Sequence, residues 1–162
     1  MPADAFLKID GIPGESTDEK HKDQIEVLSF RHGVSQMGTA SDSTAGSKSA
    51  GRCDHQDFSI DKELDKASPE LNLQCSRGTH IKEMTLELCS ATGDKSPYMR
   101  YEFEGLIISS ISIGNEGGGI PTESVTFNYN KINWIYVDTD HETGKKKGEV
   151  KKWWSLKENK GG

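Results

Sequence analysis

Cys53, His55 and Asp57 stand at i, i+2 and i+4, so on a strand their side chains all point the same way. Soft and imidazole ligands suit zinc, which makes these three the best metal candidate in the sequence. The core face begins opposite them at Phe58, and a fourth ligand would have to come from afar. The three therefore read as the solvent side of a strand, and no metal is expected. His21, His32, His80 and His141 lack a cysteine or carboxylate at ligand spacing and read as surface residues. Gly114–Gly119 has the glycines of a phosphate loop but neither its lysine nor a following helix, so it reads as a turn. No nucleophile elbow, H-E-x-x-H pair or EF-hand loop occurs. Catalysis is unsupported, and no cofactor is expected.

The elements that position these residues are mostly strands. Phe58 and Ile60 share one face, with Asp57, Ser59 and Asp61 on the other. The period then changes: Leu64, Ala67, Leu71 and Cys75 recur at three- and four-residue steps, the stripe of an amphipathic helix. Ser68-Pro69-Glu70 reads as its start, with Ser68 as N-cap and Glu70 facing the positive end of the dipole. Arg77 and a left-handed Gly78 supply the stop. One helix is expected, about Ser68 to Ser76, after an irregular turn over Lys62–Lys66.

Elsewhere alternation dominates. Leu7 and Ile9 oppose Lys8 and Asp10, although Phe6 breaks the pattern; Ser16–Asp23 is a charged solvent loop. Gln24–Arg31 carries Ile25, Val27, Leu28 and Phe30 on both faces, as in a strand covered on each side. Ile81–Ser90 and Tyr98–Glu104 alternate around a Thr92–Lys95 turn, and Gly105 permits a bend before Leu106–Ile113, a strand buried at one end and exposed at the other. Ser124–Val137 is the longest strand. Asp138–Gly148 is a polar hairpin loop with Lys145–Lys147 at its solvated tip. Glu149–Lys157 sets Trp153 and Trp154 on opposite faces, so one belongs in the core and the other at a surface or interface. Glu158–Gly162 is a tail.

Gly33–Arg52 differs in kind: 14 of its 20 residues are Gly, Ser, Thr or Ala, which cannot build a core, so a long flexible loop is expected. One domain accommodates all 162 residues. With 32% hydrophobic and 28% charged residues the core is lean, which fits a thin-walled barrel sharing surfaces with neighbouring copies. A net charge of −6 disfavours nucleic acid as a partner. The start has no secretory leader pattern and no stretch is long enough to span a bilayer; the expected chain is made in the cytoplasm and leaves the cell, if at all, without such a leader. Three cysteines without C-x-x-C spacing argue against a disulfide framework. The fold class is mainly β: a small antiparallel β-barrel with one short α-helix, whose open strand edges favour self-assembly.

The order strand, Ile60-Asp61-Lys62, Ser68-Pro69-Glu70-Leu71 helix, Cys75-Ser76-Arg77-Gly78-Thr79-His80 resembles the hemolysin-coregulated (Hcp) family of type VI secretion tube proteins. Phe6-Leu7-Lys8-Ile9, Gly14-Glu15-Ser16, His21, Ile25-Glu26-Val27-Leu28 and Gly33-Val34-Ser35-Gln36 are similar to the family's opening segment. Ile108-Ser109-Ser110 and Glu123-Ser124-Val125-Thr126-Phe127 extend the likeness along essentially the whole chain.

That resemblance implies a hexameric ring of barrels, stacked into a tube, expelled by a contractile sheath and carrying small effector proteins in its lumen. Baseplate and spike proteins would be further partners. Ser29 and Arg31 are then candidate lumen contacts. The extended loop, represented by Gly38, Ser43 and Gly46, would reach a neighbouring subunit, with Trp153 and Trp154 as a second candidate contact. The alternatives are a phage-like tail-tube protein and, in another class, a monomeric ligand- or metal-binding barrel.

Overall fold

The computed structural model describes residues 3–36, 38–39, 49–50, 52–91, 95–115, 117–140 and 142–162. Its strands are β1 (Ala3–Ile9), β2 (Ile25–Val27), β3 (Ser29–Arg31), β4 (Val34–Ser35), β5 (Gly38–Thr39), β6 (Ser49–Ala50), β7 (Asp54–His55), β8 (Phe58–Glu63), β9 (Ile81–Ser90), β10 (Pro97–Gly114), β11 (Thr122–Thr139), β12 (Lys146–Ser155) and β13 (Lys160–Gly161). Among the described residues there is one helix, α1, which spans Ser68–Arg77.

All pairings are antiparallel, and following them returns to the start. β1 pairs β9, β9 pairs β10, β10 pairs β11, β11 pairs β8, β8 pairs β3, and β2 pairs β1. β2 and β3 are two halves of one strand divided at Leu28, whose N–H donates to Asp61 O at 2.8 Å. The chain changes partner at that residue, so Leu28 turns outward and is 61% exposed. The expectation of a strand covered on both sides fails there for this reason. β11 branches: its first half pairs β8 and its second half β12.

Inside the circuit lie Leu7, Ile25, Phe58, Ile60, Leu86, Phe103, Leu106, Val125, Phe127 and Ile132, all buried in one cluster. Most follow the period of two, and the parity changes between Phe103 and Leu106 in β10, across the positive-φ Gly105, and between Phe127 and Ile132 in the paired stretch of β11. α1 packs against β10 and contributes Ala67 and Leu71 to this core. Burial along β10 fades from Leu106 and Ile108 to an exposed Ile113, as the sequence suggests.

Several expectations need correction. The N-cap is Ala67, not Ser68; Ser68 is buried and its hydroxyl is used elsewhere. Leu64 is exposed, outside the helical stripe. Lys62 and Glu63 extend β8 instead of starting a turn. Lys146 and Lys147 belong to β12. Glu158–Gly162 folds back: β13 pairs the end of β12, and Gly162 and Trp153 exchange backbone hydrogen bonds of 2.9 and 3.1 Å. Where it is described, the Gly33–Arg52 stretch pairs as a two-stranded ribbon with itself and the residues just after it, with Val34 opposite His55, Ser35 opposite Asp54, Gly38 opposite Ala50 and Thr39 opposite Ser49. The sequence expectation of a flexible loop did not anticipate that pairing.

Candidate interaction surfaces

The outer face of β3, β8, β11 and the middle of β10 is built from short polar side chains that bond to one another. Strand alternation puts Ser29, Arg31, Asp61 and Ser124 on the face opposite Phe58, Ile60 and Val125. Ser29 Oγ donates to Asp61 Oδ2 at 2.8 Å, and Ser124 donates to the other carboxylate oxygen. Asp57 accepts from Ser109 at 2.7 Å and from Asn128 at 3.0 Å. Thr126 sits between Ser109 and Ser110 at 2.7 and 2.6 Å. The Ser124 and Ser29 hydroxyls, with the Arg31 charge, hold the Asp61 carboxyl below its ordinary range, against a smaller opposing effect of burial. Ser29 and Arg31 flank Phe30 in β3, and both are exposed on this face.

The ribbon roots itself in an aromatic cluster. His32 lies 5.9 Å from Phe58 and 5.8 Å from Tyr129, ring centre to ring centre. His55 contacts the Tyr129 hydroxyl at 2.9 Å and stacks on Trp154 at 6.5 Å. Burial depresses both imidazoles, aided for His32 by the charge of His55 and opposed for His55 by Asp54. Both ring nitrogens of His32 are buried with no hydrogen-bond partner among the described residues. His32 is therefore half-buried, not a surface residue, whereas His80 is exposed as expected. His141 lies outside the described residues, as do Ser43 and Gly46. Gly38 sits in the ribbon opposite Ala50.

Cys53, His55 and Asp57 do not gather as ligands: His55 turns to Tyr129, Asp57 to Ser109 and Asn128, and Cys53 lies 3.9 Å from Asp54 O. Trp153 and Trp154 do diverge. Trp154 packs on the core, while Trp153 lies on the other side under Lys131, whose Nζ is 4.8 Å from its ring centre.

Two polar clusters escaped the sequence reading. Lys62 is fully buried; its Nζ reaches Glu123 at 2.8 Å, Asp65 at 2.9 Å, Glu63 O at 2.9 Å and Ser68 Oγ at 3.2 Å. Ser68 in turn donates to Glu123 at 2.7 Å, so the start of α1 is bolted to β8 and β11. The signal was present: Lys62 shares parity with Phe58 and Ile60, and Glu123 with Val125 and Phe127. The second cluster surrounds His21, which is buried and stacked on Phe6 at 4.2 Å. Phe6 breaks the alternation of β1 because the Ser16–Asp23 loop covers it from outside. His21 Nδ1 contacts Asp18 and Nε2 contacts Glu87, both at 2.7 Å. Burial and nearby Glu87, Asp18 and Asp4 push the Cys89 thiol up to about 11.

The family model described as "Type VI secretion system effector, Hcp" matches residues 6–136. Over 161 residues the chain is 34% identical to Protein hcp1 of Pseudomonas aeruginosa, covering 98% of each. A solved structure of a type six secretion system protein matches with a TM-score of 0.93 at 34% identity, over 99% of this chain and 100% of that one. Hcp1 from Salmonella typhimurium matches with a TM-score of 0.80 at 31% identity, over 99% of both chains.

Proposed function

We propose, from the premise that this chain belongs to the Hcp family and is a type VI secretion tube protein, that six copies close into a ring whose lumen is lined by the polar face of β3, β8, β11 and β10. One observation carries the assignment of that face. Its side chains are short, hydroxylated and mutually hydrogen-bonded around Asp57 and Asp61, with Arg31 as the long charged exception. Such a wall presents little apolar area to grip a passing chain, yet offers donors and acceptors to a folded cargo. Rings then stack into a tube that a contractile sheath expels, with baseplate and spike proteins completing the apparatus.

Ser29 and Arg31 are the proposed cargo contacts. The ribbon, from its root at Val34 and His55 outward through Gly38, is the proposed arm to a neighbouring copy. Trp153, half-buried under Lys131, is the proposed second contact, with Trp154 supporting it from the core side. The work is mechanical and recognitive, not chemical, and the chain acts as one domain that is expelled with the tube. The family match favours neither the phage tail-tube alternative nor the monomeric binder.

Electron microscopy with light scattering on the same sample tests assembly. Six-fold rings with an open centre and a mass near six times 17.9 kDa are expected; a monomer at micromolar concentration would overturn the ring. Arg31→Glu tests the lumen. Rings should still form but retain less effector than the parent, and equal retention would remove Arg31 from the wall.

A further inference from the structure

We infer that His21, Glu87 and Cys89 form a binding site for a zinc-like divalent cation, with Asp18 as the residue that orients the imidazole. The three donor atoms, Nε2, a carboxylate oxygen and Sγ, all lie within 4.8 Å of one another, and they form the one such group among the described residues. They come from two elements. Glu87 and Cys89 share the outward face of β9, and His21 is lowered onto them by the loop between β1 and β2.

The spacing suits the ion. With metal–nitrogen and metal–sulfur bonds of about 2.0 and 2.3 Å, a tetrahedral centre sets nitrogen and sulfur about 3.5 Å apart. Cys89 Sγ lies 3.6 Å from His21 Nε2. The Nε2–Glu87 contact, 2.7 Å as a hydrogen bond, must open to about 3.3 Å, a shift within reach of a partly exposed glutamate. Three protein donors of mixed softness leave a fourth position for water.

The surroundings favour a cation. Asp18 holds Nδ1 at 2.7 Å, the carboxylate–imidazole arrangement that fixes which nitrogen faces a metal. Asp4, Asp18 and Glu87 crowd the site, with the Lys95 ammonium 3.3 Å from both Asp4 and Asp18. A cleft lined by Asp4, Phe6, Asp18 and Lys95 adjoins the cluster. On entry the ion replaces the proton in the His21–Glu87 contact and the thiol proton of Cys89, and both leave to solvent. Binding would staple the loop to β9 independently of the lumen face or the ring contacts.

The experiment strips the purified full-length protein with chelator and titrates it with Co2+. One equivalent per chain is expected, with a thiolate-to-cobalt charge-transfer band in the near ultraviolet. Cys89→Ala should abolish the band, while Cys53→Ser and Cys75→Ser leave it intact. Asp18→Asn should keep the band but weaken binding about 10- to 100-fold. Absence of the band in the parent protein overturns the site, whatever the variants do. A band that survives Cys89→Ala overturns it equally.

Discussion

Lys62→Met places a side chain of similar length where the ammonium now joins Glu123, Asp65 and Ser68. The methionine can fill the space, so packing loss is small; the cost comes from what remains. Glu123, only 1% exposed, is left with the Ser68 hydroxyl as a donor in place of the ammonium. Removing one partner of a buried ion pair costs about 3–5 kcal/mol, most of it the stranded charge. At roughly 2–4 °C per kcal/mol for a chain of this size, the midpoint of thermal unfolding should fall by about 6–20 °C. Because assembly adds apparent stability, urea unfolding should be followed by circular dichroism under conditions where light scattering reports single protomers. Pairing Lys62→Met with Glu123→Leu removes both charges and should recover most of the loss, giving a coupling of about 2 kcal/mol or more. If the two single losses add within about 0.5 kcal/mol, the two residues do not act as a pair and the reasoning fails.

Gly161→Ala would drive a Cβ to 2.6 Å from the Trp154 ring and onto the Trp153 carbonyl. The variant should release β13, lower stability by about 1–3 kcal/mol and shift tryptophan emission to the red; an unchanged spectrum would contradict the packing. The neutral imidazoles of His32 and His55 predict that stability is full above about pH 6.5 and declines below it, because the unfolded chain takes up protons first. Asp54, Tyr101 and Tyr129 are the other titratable groups around the pair, and His32→Phe should flatten the decline in urea midpoints between pH 7 and pH 5 or so. Asp61 is depressed, so its contribution is present above the ordinary aspartate value of about 3.9 and lost as pH falls through its lower folded value. Ser29→Ala should move that carboxyl upward in an NMR titration, and no movement would separate Ser29 from Asp61.

The strands were legible because burial on one face leaves a period of two. Ile81–Ser90 begins and ends where its alternation does, and Gly78 closes α1 with a left-handed cap. The buried face of the antiparallel sheet was legible for the same reason. What escaped was chemistry placed against its pattern. Lys62 and Glu123 occupy inward positions, but hydropathy reads a charged residue as outward, and only its partner across the sheet makes it stay. Phe6 showed as an irregularity, yet its cause is His21, fifteen residues onward in a loop that looks solvated. Leu28 hid the division between β2 and β3, because an apolar residue in a strand gives no sign that the chain is changing partners. The candidate lumen pair Ser29 and Arg31 came from resemblance; the Ser29 bond to Asp61, and the Arg31 charge near it, could not be read from spacing.

That division also decides how the wall bears load. Between β9, β10 and β11 the barrel is laced by long ladders, whereas the closing strand is held by three paired positions to β1 and three to β8. A particle thrust along its axis resists shear in proportion to the bonds that must break together. The line from Ile25 to Arg31 is therefore the seam along which the wall yields first, and its amides should exchange ahead of those in β10. In the proposed ring, a neighbouring copy seated across that line would act as a hoop, and closing the ring would then reinforce the wall in the same mechanical event.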